Sequence, residues 1–315
     1  MIKKIFLLLF ITFHPLYPFQ DNELVELWSS IADVTNPTIE EYKAIEKYLK
    51  DGKRAYLEPL AYHDRFIRIR NLHLIGTNNE MPIFEKHSFN INEKSKNRCI
   101  VLFASYNGIY PNKARKLLAE LEECGYSGHV LLRIGGFPNL ENGGLKICYV
   151  PYAFKVAFLK EAQWLGYGEI LWLDTAMHPL TNLELIFSEI KEKGYFFTDV
   201  GFLSDNMSTH LPEAAASLAI TTDHYSQIPH ISSGVFGVNM ENDKAVQLLE
   251  NWFAETENVI PYITCWPEEL SLSVIAWRLQ CKPYSWFGNC VCGEHELQMP
   301  IIRQRPLQFY IDPIR

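Results

Sequence analysis

The chain has 315 residues, of which 48% are hydrophobic and 13% aromatic, so it can bury a large core and lies near the upper size of one α/β domain. Its formal net charge of −8 is spread thinly, and its 29 Lys and Arg residues form no basic block that would neutralise a phosphate backbone. This composition argues against intrinsic disorder and against nucleic acid as a partner.

The first segment, residues 1–20, has the pattern of an export signal. A charged start precedes a short apolar run from Ile5 to Phe13. A membrane-spanning helix needs about 20 apolar residues, and Pro15 and Pro18 interrupt the run before that length. No small-residue cleavage site is evident, so the segment is interpreted as a signal, an uncleaved anchor or a buried N-terminal segment. We expect a protein that is exported or membrane-associated.

Residues 21–97 are predicted to form a small N-terminal cap. Asn22 to Ala32 and Thr38 to Leu49 have the periodicity of amphipathic helices. The polar stretch Asn92 to Arg98 marks the boundary before the main domain, which is predicted to occupy 98–315.

In the main domain, predicted strands alternate with predicted helices. The strands are Cys99–Ala104, His129–Ile134, Lys146–Val150, Glu169–Leu173, Tyr195–Thr198 and Ser232–Asn239, and the helices are Pro111–Glu123, Tyr152–Leu165, Leu183–Lys193, Asp243–Ala254 and Glu268–Leu279. This alternation predicts an α/β fold with a doubly wound, mostly parallel sheet and helices on both faces. Ligands of such sheets bind at the carboxyl ends of the strands, so the residues that follow each strand are candidates for a site.

Three features of the main domain together resemble the GT-A glycosyltransferases. The strand Leu171-Trp172-Leu173-Asp174 ends in an aspartate where the family has a D-x-D motif, the preceding helix carries the basic residue Lys155, and Ser232-Ser233-Gly234-Val235-Phe236 resembles the family's N-S-G-like strand. The resemblance extends over about Cys99 to Leu279. It implies a GT-A-like fold and the transfer of a sugar from a nucleoside-diphosphate sugar to an unknown glycan, lipid or protein acceptor.

The resemblance also implies roles for single residues. It places Asp174 near the diphosphate as a catalytic residue, Lys155 within reach of a phosphate, and Ser233 and Gly234 beside the sugar. Glu269, which follows Glu268 at a helix start, resembles a late acid of the family that acts as a base or binds the acceptor.

The end of the first strand resembles the region where the family receives the base and ribose of the nucleotide. There, Ser105, Tyr106 and Asn107 are the candidates, because the Tyr106 ring can stack on a base and Asn107 can form hydrogen bonds with it. The irregular stretch Asp199 to His230 is predicted to be an acceptor-side loop or lid.

The second acid of the D-x-D pattern is missing, since the chain has Asp174-Thr175-Ala176 at this point. In the family a divalent cation, Mn²⁺ or Mg²⁺, neutralises the departing diphosphate. Magnesium can be held by one or two carboxylates with phosphates and waters, so Asp174 remains a candidate metal ligand, with His295 or His178 as a further one. The missing acid leaves metal dependence open.

Each candidate also has a structural interpretation. Asp174 could cap a turn, Lys155 could extend along an apolar surface to solvent, and Glu269 could simply favour a helix N-terminus. The missing acid fits a second hypothesis, a GT-A-shaped protein that has lost catalysis and serves as a binding or envelope-associated module. A hydrolase is disfavoured because no G-x-S-x-G motif is present.

The seven cysteines form no C-x-x-C pair, which disfavours a zinc module. In an exported chain, the late group Cys265, Cys281, Cys290 and Cys292 could form one or two disulfides. Buried free thiols are an equally good interpretation.

Overall fold

The computed structural model describes residues 83–104, 109–135, 154–205, 210, 212–257, 261, 266–287, 290–292 and 300–304. The predicted signal segment, most of the predicted cap and the candidates Ser105, Tyr106, Asn107 and His295 lie outside these residues. Among the residues that are described, no helix combines the length and the apolar character needed to cross a membrane.

The described residues form ten strands and six α-helices. The strands are β1 (Ile83–Phe89), β2 (Arg98–Ala104), β3 (Gly128–Ile134), β4 (Glu169–Leu173), β5 (Met177–Pro179), β6 (Tyr195–Phe202), β7 (Pro229–Asn239), β8 (Tyr284–Phe287), β9 (Cys290–Cys292) and β10 (Pro300–Gln304). The helices are α1 (Tyr110–Glu123), α2 (Phe154–Trp164), α3 (Glu184–Lys193), α4 (Pro212–Ser217), α5 (Asp243–Ala254) and α6 (Pro267–Arg278). The strand predicted for Lys146–Val150 lies outside the described residues. Each of the other strands and helices predicted for the main domain occurs, and the bounds of α5 and β4 agree fully.

The strands form one sheet with the order β1-β3-β2-β4-β7-β6-β8-β9-β10-β5. The α/β class is confirmed, but the sheet is mixed: β2 pairs in parallel with β3 and β4, whereas β7 is antiparallel to both β4 and β6. The chain leaves β6 and enters β7 at the same edge of the sheet, so β7 must run back. On the far side, β1 pairs with β3, so the sheet begins before the predicted domain boundary at residue 98.

Helices cover both faces of the sheet, as predicted. In β2, Ile100 and Leu102 pack on the face covered by α1 and α3, whereas Val101 and Phe103 pack on the face covered by α2, α5 and α6. Every residue of β2 is buried. A strand that is covered on both faces has a continuous apolar sequence, which is why this strand could be predicted from composition alone.

A third, smaller core joins the chain between β6 and β7 to helix α6. Leu203, Leu218 and Tyr225 pack with Leu270 and Val274 of α6. The stretch predicted as an irregular loop or lid therefore contains α4 and a 3₁₀ turn and is packed against the helix that begins with Glu268 and Glu269.

Of the late cysteine group, Cys281 is a buried free thiol. Cys99 and Cys124 are free thiols as well. Cys265 and the side chains of Cys290 and Cys292 lie outside what the structure describes, so a disulfide among these three stays a prediction.

Candidate functional site

The candidate site lies at the edge of the sheet where β4 and β6 end and β7 begins. Asp174 is the first residue after β4, and its backbone N–H donates to the carbonyl of Gly234 in β7 (2.9 Å). Because β7 is antiparallel to β4, its N-terminal half lies beside the carboxyl end of β4. The aspartate and the Ser233-Gly234 pair predicted from sequence are thus neighbours.

A bulge in β7 shapes this edge. Phe236 pairs with Phe197 of β6 and Ser232 pairs with Thr198, so residues 233–235 have no counterpart on β6. Extra residues in one strand disrupt the ladder and redirect side chains. Here the bulge directs the backbone N–H and the hydroxyl of Ser233 toward the first turn of α6.

Lys155 of α2 lies at the centre of a group of polar side chains that we call the Lys155 cluster: Lys155, Asp174, Ser233, Glu268 and Glu269. Its Nζ is 3.1 Å from both carboxylate oxygens of Asp174, 3.2 Å from Oε1 of Glu268 and 2.8 Å from Oγ of Ser233. Three different elements and the end of β4 therefore meet at one ammonium group.

The hydroxyl of Ser233 connects the lysine to α6. It accepts a hydrogen bond from Lys155 and donates to Oε1 of Glu268 (2.8 Å), while the backbone N–H of Ser233 donates to Oε1 of Glu269 (3.0 Å). Both acids lie in the first turn of α6, where the positive end of the helix dipole stabilises carboxylates. The dipole and the contacts with Lys155 and Ser233 act together on these acids.

The cluster has a buried layer and an accessible layer. The side chains of Lys155 and Glu268 are 3% and 2% exposed, and Ser233 is fully buried. Asp174 and Glu269 are 32% and 16% exposed. A ligand at this edge can therefore touch the two acids that were predicted to be catalytic, and the buried residues hold them in place.

The charges of the cluster stabilise one another. Burial lowers the pKa of Lys155, but the negative charges of Asp174, Glu268 and Glu269 outweigh it and raise this pKa above its ordinary value. Burial raises the pKa of Glu269, but the hydrogen bond from His230 and the charges of His230 and Lys155 outweigh it and lower this pKa. Lys155 and Glu269 are therefore both charged at neutral pH.

Two further side chains support the accessible acids and were not predicted. Trp172 donates from Nε1 to Oδ1 of Asp174 (2.7 Å), and Nε2 of His230 is 3.2 Å from Oε2 of Glu269. Trp172 is visible in the sequence, two residues before Asp174. The role of His230 cannot be predicted from the sequence, because a residue three positions from Ser233 would point to the opposite face of a regular strand.

The proposed metal ligands are not gathered in the described residues. His178 lies in β5 with its Nδ1 3.1 Å from Glu120 of α1, so it belongs to a different group from Asp174. Among the residues described, no three His, Cys, Asp or Glu side chains are arranged to hold a metal ion. His295 lies outside them, and a cation at Asp174 stays a prediction.

Comparisons with known proteins do not assign this chain to a family. No protein-family model matches the chain, and no curated protein matches its sequence. Function is therefore inferred from the side chains of the Lys155 cluster and from their geometry.

Proposed function

We propose that this protein is a glycosyltransferase that moves a sugar from a nucleoside-diphosphate sugar to a hydroxyl group of an acceptor. One observation supports this most: Lys155, Asp174, Ser233 and Glu269, predicted from distant parts of the chain, belong to one hydrogen-bonded cluster. The cluster lies at the carboxyl end of β4, the kind of edge where open α/β sheets bind ligands.

The two accessible acids have separate roles in this proposal. Glu269 accepts the proton of the acceptor hydroxyl, whose oxygen forms a bond to the anomeric carbon of the donor sugar. The bond between that carbon and the diphosphate oxygen breaks, and the nucleoside diphosphate leaves with the electron pair. Asp174 lies beside the donor, fixed by Trp172 and Lys155.

The buried layer keeps these acids in position. Lys155 is committed to carboxylates within the cluster, so we propose it as a positioning residue rather than as a direct phosphate ligand. The cluster has three carboxylates against one lysine, and a diphosphate adds more negative charge. A divalent cation held by Asp174 and the phosphates would supply the neutralising charge for the leaving group.

Nucleotide binding by Asp174→Asn tests the proposal. The amide keeps an oxygen for Trp172 Nε1 but removes the negative charge, so we expect UDP or GDP binding in the presence of manganese to weaken at least about tenfold, and sugar transfer to be lost. Calorimetry with each nucleotide, with and without manganese, measures the change.

Asp243→Asn is the matched control, since it makes the same chemical change at an exposed acid in the first turn of α5. It should bind nucleotide as the wild type does. Equal nucleotide affinity in both variants, or no nucleotide binding by the wild type, would contradict the proposal. Nucleotide binding without any turnover of nucleotide sugars would favour the catalytically inactive binding module instead.

A further inference from the structure

His210 is a buried imidazole whose hydrogen-bonding capacity is not used within the described chain. The residue is 4% exposed, and neither Nδ1 nor Nε2 has a hydrogen-bond partner there. Leaving a buried polar atom unpaired costs about 1–3 kcal/mol, and most such atoms in folded proteins are paired. A ligand that pairs with these nitrogens would remove this cost.

The position of His210 connects it to the proposed active site. Its ring lies edge-on to His230, with ring centroids 5.4 Å apart, and His230 contacts Glu269, the proposed base. On another side, Tyr225 of the small third core lies edge-on to it at 6.3 Å. His210, His230 and Glu269 thus form a row of polar side chains that begins at the Lys155 cluster.

The chemistry of this position selects the kind of ligand. Burial, with the charge of His230 added, lowers the pKa of His210 to about 4, so the ring is neutral at neutral pH. A neutral imidazole has one N–H donor and one nitrogen acceptor, the pair that a hydroxyl group also offers. An anion would instead need a cationic partner and would be repelled by Glu269.

We infer that His210 binds a hydroxyl group of a neutral sugar, the acceptor, beside Glu269. This inference rests on the proposed function and assigns the acceptor side of the same site. It makes His210 a specificity residue for hydroxyl-rich ligands.

His210→Phe tests the inference, because phenylalanine keeps a flat ring and removes both nitrogens. The probes are methyl α- and β-glycosides of the common hexoses, with binding measured by saturation-transfer NMR, and the unfolding temperature is recorded for each variant. We expect the wild type to bind at least one glycoside and His210→Phe to bind it about tenfold more weakly or not at all. The unfolding temperature of the variant should be at least that of the wild type.

Two further variants make the result specific. His210→Gln keeps a donor and an acceptor, so it should retain more glycoside binding than His210→Phe. Tyr225→Phe changes the neighbouring ring and leaves both imidazoles unchanged, so it should bind the glycoside as the wild type does. No glycoside binding by the wild type, equal binding by His210→Phe, or a lower unfolding temperature for His210→Phe overturns the inference. UDP and GDP binding, measured on the same samples, separates this outcome from failure of the transferase proposal.

Discussion

The ammonium group of Lys155 is almost closed to solvent and lies in the field of three carboxylates. Removing one partner of a buried ion pair is costly because the remaining charges stay buried without compensation. At Lys155 the remaining charges would be those of Asp174, Glu268 and Glu269, which would also repel one another.

We expect Lys155→Met to lower the free energy of unfolding by about 3–5 kcal/mol. Lys160→Met is the matched control: Lys160 lies on the same helix and is 7% exposed, but its carboxylate partner, Glu250, is 47% exposed and can be hydrated. That variant should lose about 1 kcal/mol or less. Urea unfolding followed by circular dichroism measures both values, and equal losses would mean that Lys155 is not the centre of a buried charge network.

Single site residues could be predicted where the end of a strand or the start of a helix marks their position. Asp174 was found because it ends an apolar strand, and Glu269 because it begins a helix after Trp266-Pro267. Lys155 and Ser233 were also named as candidates, but their contacts with Glu268 were not predicted, because these contacts arise only through the packing of α2, β7 and α6. His230 and His210 have no sequence signal, because their environment is created by that packing.

At the scale of elements, two glycines of β7 allow side chains of neighbouring elements to lie close to its backbone. A Cβ added to Gly234 would lie 2.5 Å from Cε of Met177 and 3.5 Å from Oδ2 of Asp174. A Cβ added to Gly237, farther along β7, would lie 2.7 Å from Cγ1 of Ile190 in α3. The two glycines therefore serve different contacts in the same strand.

We expect Gly234→Ala and Gly237→Ala to separate binding from stability. Gly234→Ala presses on the flexible end of Met177 beside Asp174, so nucleotide affinity should fall while stability changes little. Gly237→Ala should cost about 1–3 kcal/mol of stability by overpacking against Ile190, with nucleotide affinity retained. Calorimetry and urea unfolding of both variants give the comparison, and equal loss of affinity in the two would contradict the assignment of Gly234 to the site.

Elements with strong apolar patterns were predictable, and the pairing between them was not. The strands β2 and β4 were identified by their continuous apolar runs and the helix α5 by its regular periodicity. An apolar run does not encode strand direction, so the antiparallel course of β7 and its bulge could not be read from the sequence. The short strands β5 and β9 have only three residues each, too few for a periodic signal.

At the scale of the whole molecule, one edge of a well-packed sheet carries buried charge and unpaired polar atoms. The two main cores on either face of the sheet consist mainly of apolar side chains, although Tyr167 and Trp252 in one of them also bury an unpaired polar atom. The Lys155 cluster and His210 bury charge or unpaired polar atoms. A fold with this division is stabilised by its cores and can tolerate strain at the site. The stability of the protein should therefore depend on pH through the site residues.

His210 gives this dependence a defined sign and range. Its folded pKa of about 4 lies below its ordinary value of 6.5, with burial as the main cause and the charge of His230 as the next. As the pH falls below 6.5, the unfolded chain takes up the proton first, so the contribution of His210 to stability is complete above 6.5 and is lost progressively down to about pH 4. The lowered pKa of Glu269 acts in a more acidic range, below 4.5.

We expect the free energy of unfolding to fall by up to about 1.4 kcal/mol per pH unit in the range assigned to His210, and His210→Phe to remove most of that slope. His230 of β7 and Glu269 of α6 face the ring, and both are retained in this variant. Tyr225→Phe is the control, because burial raises the pKa of Tyr225 and its phenol stays neutral throughout this range. Urea unfolding at a series of pH values measures the slope. A slope in His210→Phe as steep as in the wild type would show that the imidazole is protonated equally in both states, and would place it in a solvated environment rather than a buried one.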